Sequence, residues 1–318
     1  MKISIVIPNY NGEELLRKNL SSVIDAANYY KEKTNNDIEI IIVDDFSTDN
    51  SIGEIQNSIP PFIPGKELRI IFNKNNMGFS STVNKGVEEA KGEIVVLLNT
   101  DVQPKKDFLL KLIEHFEKDE KVFAVGCLDE SIEKGKTIFR GRGIGQWKRG
   151  FLVHKKGKVD RTNTLWVSGG SGAFRKSIWE KLGGFNKLYN PFYWEDIDLS
   201  YRALKTGYKL IFESKSIVIH MHEEGIIKRK YSSFEIKNIS YRNQFIFVWE
   251  NMTDIYLKFS HIIWLPYHFL NALKRLDFAF FLGFIKALLL LPQVVKSKAR
   301  FNKHFILKDK EIIKNFLE

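Results

Sequence analysis

Cysteine is nearly absent: Cys127 is the only one in 318 residues. No internal disulfide can form, and a thiol inside the apolar run 122–128 reads as a small buried hydrophobe that suits a reducing compartment. Long uncharged runs are missing as well. The longest in the aromatic C-terminal part, residues 259–273, is broken by Pro266 and falls short of the roughly eighteen residues a membrane-spanning helix needs, so no span is expected. The first apolar run, residues 3–8, is too short for a secretory leader, and a cytoplasmic location is expected. No Gly-x-Gly-x-x-Gly follows an apolar strand and no P-loop occurs, which argues against a dinucleotide-binding Rossmann enzyme; a nucleotide would have to be gripped by other means.

What is present is ample apolar material, 44% of the chain, and a net charge of +11. The first permits one large domain or two modest ones with a packed core. The second points to a polyanionic neighbour: nucleic acid, anionic lipid or a phosphorylated substrate. More than half of the excess, +6, lies after Asn251.

The first hundred residues alternate between short apolar runs and helical periodicity. Strands are expected at 3–8, 38–43, 68–72 and 92–98, and helices at 13 to about 30, from about 50 to 57, and from 79 to about 91, with Pro60, Pro61, Pro64 and Gly65 marking a loop. Such continuous apolar strands imply a mostly parallel sheet covered by helices on both faces, an α/β fold. Three strands end in polar groups: Asn9, Asp44-Asp45, and Asn99-Thr100-Asp101. Ligands of open α/β sheets sit beyond the carboxyl ends of the strands, and Asp101 is well placed there to hold a hard divalent cation. Alternatively, Asp101 only ends its strand before the next helix, and Asp44 and Asp45 only cap the helix that follows them.

Four blocks, Pro8-Asn9-Tyr10-Asn11, Val43-Asp44-Asp45-Phe46-Ser47-Thr48-Asp49, Asn76-x-Gly78-Phe79 and Leu98-Asn99-Thr100-Asp101, resemble in this order the signature blocks of glycosyltransferase family 2, the inverting sugar transferases with the GT-A fold. The resemblance implies a nucleotide-sugar donor (UDP- or dTDP-sugar), a divalent cation (Mn2+ or Mg2+) and an acceptor hydroxyl. It assigns Pro8, Asn9, Tyr10 and Asn11 to the nucleotide, Asp44 or Asp45 to the base and ribose, and Asn76, Gly78, Asn99 and Thr100 to the donor side. Asp101 matches the last, metal-binding residue of the family's Asp-x-Asp motif. Asn99 replaces the first Asp, as in members resembling rhamnosyltransferases, which leaves Asp101 as the principal acidic ligand.

Further along, residues 105–119 read as an amphipathic helix and 122–128 as a strand. The basic, Gly-rich stretch 131–159 reads as a hairpin with a mobile loop whose Arg140, Arg142, Lys148 and Arg149 either neutralise phosphates or form a solvated rim. The block around Gly169, Gly170 and Ser171 resembles the family's small-residue segment below the acceptor. Tyr193-Trp194-Glu195-Asp196-Ile197-Asp198 resembles its Glu-Asp-x-Asp block at a helix start, with Trp194 and Glu195 on the acceptor side. An inverting transfer needs a base for the acceptor hydroxyl; Asp196 is the choice, with Glu195 and Asp198 as neighbours that could instead complement the helix dipole. After an expected strand at 210–220 comes His220-Met221-His222, two histidines on one face; the resemblance implies a histidine here as a metal or pyrophosphate ligand, with His220 the choice and His222 its alternate.

A helix is expected at 232–249, and its Tyr241-Arg242-Asn243 also resembles the family. Beyond it, apolar residues flanked by lysine suit helices lying in a membrane interface, peripheral at the inner face of the cell membrane; packing on the catalytic domain or on a second subunit is the alternative, and a homo-oligomer stays open. The expected organisation is a catalytic domain over 1–225 and a basic helical region over 226–318. The expected acceptor is a glycan or lipid-linked glycan, with no nucleic acid partner. A nucleotidyltransferase would want a glycine-rich basic loop after the first strand, where Asn9-Tyr10-Asn11-Gly12 has one glycine and no lysine. The remaining alternative is a non-catalytic membrane- or nucleic-acid-binding protein, for which steep salt dependence would be the sign.

Overall fold

The structure, a computed structural model, describes residues 1–58, 67–133, 135–220 and 226–317. The proline-rich stretch 60–65 and His222 lie outside the described residues. The chain opens with β1 (Ile3–Asn9), α1 (Glu13–Thr34), β2 (Ile38–Asp44), α2 (Ser51–Ser58), β3 (Glu67–Phe72), α3 (Phe79–Glu89) and β4 (Ile94–Leu98). It continues through β5 (Val102–Pro104), α4 (Phe108–Lys118), β6 (Val122–Glu133), β7 (Lys136–Arg140), β8 (Gly143–Lys148), β9 (Phe151–Lys156), β10 (Ser171–Arg175), α5 (Lys176–Leu182), α6 (Glu195–Lys205) and β11 (Lys209–His220). Helices follow: α7 (Ile226–Lys230), α8 (Ser233–Asn251), α9 (Ile255–Lys274), α10 (Phe278–Leu289), α11 (Leu291–Asn302) and α12 (Asp309–Lys314).

The main sheet runs β3-β2-β1-β4-β10-β6-β11-β5, with β7 added beside β6. Its first four strands are parallel, as continuous apolar runs require when both faces are covered. Ile3, Ile5 and Ile7 alternate onto the face covered by α1 and α4, while Val6, Ile41 and Val43 point to the face covered by α3, α5 and α6. The remainder is mixed rather than parallel. β10 runs antiparallel to both β4 and β6, and β5 runs antiparallel to β11. Strand order reverses beside β1, which lies between β2 and β4, and this switch point opens a crevice beyond the ends of β1 and β4.

The described residues of the 131–159 stretch are largely strand: β7 pairs with β6, and β8 with β9. Arg142 is buried and donates to the Asn163 carbonyl (2.6 Å), the Lys158 carbonyl (3.0 Å) and the Asn163 side-chain oxygen (2.8 Å). It is a staple and cannot meet a phosphate. Arg149 lies over the rings of Tyr267 and Trp264 of α9, at 4.7 and 5.7 Å, and is not among the residues that line the crevice.

The boundary at 225 does not separate two cores. One apolar cluster joins Phe151, Leu165, Tyr189, Trp194 and Ile197 to Phe245 and Val248 of α8, Phe280 of α10 and Val294 of α11. Helix α8 starts sharply, because Ser232 Oγ accepts from Glu235 N while Glu235 accepts from Ser232 N, a capping box. Lys205 of α6 and Asp309 of α12 form a fully buried 2.8 Å ion pair. Asp309 also accepts from the Tyr201 hydroxyl and from Thr253 N and Asp254 N, so the pair is fully hydrogen-bonded, as a buried charge must be.

Candidate active site

The crevice is a cavity of about 520 Å3. Pro8, Tyr10, Asp45, Asn76, Gly78, Asn99, Thr100, Asp101, Gly169, Gly170, Glu195, Asp196 and His220 all line it. Five other expected site residues do not. Asn9 and Asp44 are buried beneath it, bonded to one another (2.8 Å), and Asp44 also accepts from Ser47 Oγ (2.6 Å) and Ser47 N (3.0 Å). Asn11 accepts from Thr48 N (2.7 Å) through its side chain. Ser171 is buried in β10 opposite Leu98, and Trp194 packs edge-on to His154 and against Phe247.

These residues support the crevice from outside. The turn before α1 has no side-chain cap of its own at Gly12; its N–H groups are instead received by the loop after β2, Asn11 N by Ser47 Oγ, Gly12 N by Ser51 Oγ and Glu13 N by Asp49. The two strand-end loops are thereby zipped together. Asp45 faces the cavity, where it accepts from Met77 N (2.8 Å), Gly78 N (2.9 Å) and Asn73 Nδ2 (2.7 Å). Of the two adjacent acids, Asp45 is the one a ligand can reach.

Register explains the next pair. β11 places His220 opposite Val102 and Val218 opposite Asp129, which sets the imidazole between two acids. His220 Nε2 is 3.3 Å from Asp101 and Nδ1 3.0 Å from Asp129. Burial works against the charged imidazole, but hydrogen bonds and charge from Asp101 and Asp129 outweigh it and lift the pKa to about 9. Asp129 was not legible as a site residue; nothing in the sequence announces the pairing. Asn99, two residues before Asp101, also lines the cavity, and its Oδ1 is buried without a hydrogen-bond partner. Among the described residues no three acidic, histidine or cysteine side chains converge as a cage. One carboxylate, an orphaned amide oxygen and an imidazole, whose Nε2 would first have to release the proton it shares with Asp101, nevertheless suit a cation of the Mg2+ or Mn2+ kind, which takes few protein ligands and completes its shell with water and substrate phosphate.

Across the cavity, Tyr193 and Trp194 both adopt left-handed backbone (φ 71° and 76°) immediately before α6. Held non-glycine φ of this kind marks a segment that its surroundings over-determine. The restraint comes from α8: buried Asn243 Nδ2 points at the carbonyls of Tyr189 (2.9 Å), Phe192 (3.0 Å) and Tyr193 (2.8 Å), and the Arg242 guanidinium donates to the Asn190 carbonyl. The first turn of α6 then presents three acids with different fates. Asp198 turns inward to a fully buried ion pair with Arg202 (2.7 Å). Asp196 accepts from Ile197 N (2.8 Å) and Gly169 N (3.4 Å), and burial raises its pKa to about 6 despite those bonds. Glu195 has an oxygen with no partner, and burial followed by the charges of Asp196 and Asp198 raises it well above the usual carboxylate range. The dyad thus offers a group that can take a proton near neutrality beside one that keeps its own.

Arg140, one of the basic candidates of the 131–159 stretch, lines the cavity, and so do Phe192, Tyr193, Ile227, Lys230 and Tyr231, which were not expected there. Lys230 lies 4.1 Å over the ring of Tyr10, closing the site from α7. The only sequence signal was the basic run after the second histidine.

The family model described as "Glycosyl transferase family 2" matches residues 4–183, more than half of the chain. The chain belongs to this family. A relative from Bacillus subtilis (strain 168), "Probable glycosyltransferase YdaM", is 29% identical over 230 residues, 70% of this chain and 51% of that protein; this chain spans about half or less of the length of the first curated relatives it matches. Among solved structures, GalNAc-T7 with UDP, GalNAc and Mn2+ superposes with a TM-score of 0.61 at 20% identity, covering 80% of this chain and 49% of that one. The mannosyltransferase PcManGT from Pyrobaculum calidifontis, in complex with GDP-Man and Mn2+, superposes at 0.57 and 17% identity over 90% and 86%. The fold of this family member is therefore GT-A, with a mixed sheet and C-terminal helices.

Proposed function

We propose that this glycosyltransferase transfers a sugar with inversion from a UDP- or dTDP-linked donor to a hydroxyl of a glycan or lipid-linked glycan, with help from Mn2+ or Mg2+. The observation that carries the reading is one cavity lined by Asp101 and His220 of the β4 and β11 ends and by Asp196 of α6. Asp45, Tyr10 and Pro8 would hold the nucleoside, and Asp101, His220 and the Asn99 amide oxygen would hold the cation. When bound, the cation would neutralise the diphosphate as it leaves. Asp196 accepts the acceptor's hydroxyl proton while that oxygen attacks the anomeric carbon, and the bond from that carbon to the β-phosphate oxygen breaks on the opposite face. No covalent sugar–enzyme intermediate is needed. Protonated Glu195 donates a hydrogen bond rather than competing for the proton.

One solved neighbour was captured with GDP-Man and Mn2+ and another with UDP, GalNAc and Mn2+, which supports a nucleotide-sugar donor and a divalent cation; the exact nucleotide, the inversion and the acceptor rest on the side-chain chemistry. The test is to screen nucleotide sugars for cation-dependent thermal stabilisation, then follow the hits for transfer and read the anomeric configuration of the product by NMR. Stabilisation only with Mn2+ or Mg2+ and an inverted product are expected. A product with retained configuration, or turnover undiminished by a chelator, would overturn the reading.

A further inference from the structure

The outward faces of α9, α10 and α11 are apolar where a solvated helix would be polar. Helix α9 buries Leu257, His261 and Ala272 and exposes Ile255, Phe259, Ile262, Ile263, Leu270 and Leu273, which recur at the helical period as one stripe; Ile263 is 71% exposed. Helices α10 and α11 add exposed Ile285, Leu289 and Val295. More than half of the exposed large hydrophobic side chains among the described residues fall within residues 255–295. Surface of this extent marks an interaction site.

Charge indicates what covers it. From residue 255 to 303 there are eight basic residues and one acidic one, Asp277, which is already paired with Lys237 at 2.7 Å. Lys274, Arg275, Lys286 and Lys296 are exposed. Trp264 and Tyr267, partly exposed on α9 and covered by the Arg149 guanidinium, suit the level of lipid headgroups. Among the described residues no single helix is long and apolar enough to cross a membrane, and α10 and α11, which together would be, meet at a 64° bend. A face that is apolar, basic and too short to span has the composition of an interfacial surface.

We infer that α9, α10 and α11 form a docking face for an anionic lipid bilayer, on which their apolar stripe enters the interface and their lysines and arginines meet acidic headgroups. The face is rigidly joined to the reaction cavity. Trp249 of α8 bonds His261 of α9 (3.0 Å), and Asn186, next to the restrained loop before α6, bonds Ser297 of α11 (3.0 Å). Docking therefore fixes the height and tilt of the cavity over the lipid surface.

The test is co-sedimentation of the full chain with phosphatidylcholine vesicles and with vesicles in which part of the lipid is phosphatidylglycerol, alongside the sedimentation velocity of the free protein. The wild type should pellet with the anionic vesicles and be released by salt. Ile263→Glu/Leu270→Glu, at exposed positions, should weaken binding by about a hundredfold, and Lys274→Glu/Arg275→Glu by about tenfold. Binding is read directly, so the result is independent of whether the sugar-transfer reading holds. A wild type that stays in the supernatant with both vesicles, or variants that bind as the wild type does, would refute the inference. So would a wild-type oligomer that Ile263→Glu/Leu270→Glu splits, because a second copy would then be the occupant.

Discussion

Two pairs of adjacent acids stand at this crevice and are solvated by the protein in opposite ways. Asp44 and Asp45, at the end of β2, receive Ser47 N, Ser47 Oγ and Asn9 on the one, and Met77 N, Gly78 N and Asn73 on the other. Glu195 and Asp196, at the start of α6, are given little: Asp196 has two backbone donors and Glu195 an oxygen with none. An acid surrounded by donors keeps its geometry and organises loops, whereas an acid starved of them holds or takes protons at neutral pH. Residue type and spacing are alike in the two places, and the donor count divides their roles.

The comparison breaks most easily at α6. Asp196→Asn is expected to lower kcat by 10²–10⁴-fold, the usual worth of a general base, with donor binding by titration nearly unchanged. Glu195→Gln, which preserves a neutral hydrogen-bonding group, should cost less than about tenfold. A base at Asp196 would act deprotonated, and with its pKa raised to about 6 wild-type kcat/KM should rise with pH through that value and level off above it. A strong effect of Glu195→Gln together with a weak one of Asp196→Asn would exchange their roles.

At β2 the expected effects are smaller and fall on binding. Asp45→Ala removes the acceptor of two backbone N–H groups at the cavity wall and should raise the donor KM by about tenfold while changing kcat little. Asp44→Ala acts on the zip between loops, outside the cavity, and should show mainly as a loss of about 1–3 kcal/mol in unfolding stability. Equal effects of the two on KM would erase the distinction drawn between them.

How far the sequence disclosed this arrangement follows from the range of each interaction. The strands β1, β2 and β4 and the polar residues that follow or close them, Asn9, Asp44-Asp45 and Asn99-Thr100-Asp101, were legible, because continuous apolar runs and the polar residues that stop them are local signals. Which of Asp44 and Asp45 faces the cavity was not, since this depends on N–H groups thirty residues away in the turn before α3. The mixed half of the sheet was equally hidden: β10 inserts between β4 and β6 through a long-range antiparallel pairing that its five residues do not encode alone. Arg142 read as either a phosphate ligand or part of a solvated rim and is neither, being buried and bonded to Asn163. Asn243 lay in a recognised block, yet its grip on three carbonyls before α6 is a property of tertiary packing.

The subtlest test uses a third acid. Glu250 of α8 is buried, accepts from Asn186 (2.7 Å), from the Tyr189 hydroxyl (2.9 Å) and from Ser297, and does not line the cavity. Burial, and then the charge of Asp198, raises its pKa from 4.5 to about 8. A proton held more tightly in the folded than in the unfolded chain stabilises the fold at low pH, and that contribution disappears as pH climbs from 4.5 through 8, with a slope of up to about 1.4 kcal/mol per pH unit. Glu250→Gln keeps the shape and removes the titration. Measured by denaturant unfolding at pH 5.5 and 7.5, the difference between wild type and variant should change by about 2–3 kcal/mol in the variant's favour at the higher pH, while the pH profile of transfer stays in place. If the profile moved with this substitution, proximity to the cavity would no longer separate proton-handling acids from structural ones, because a raised pKa anywhere in the fold would then reach the reaction.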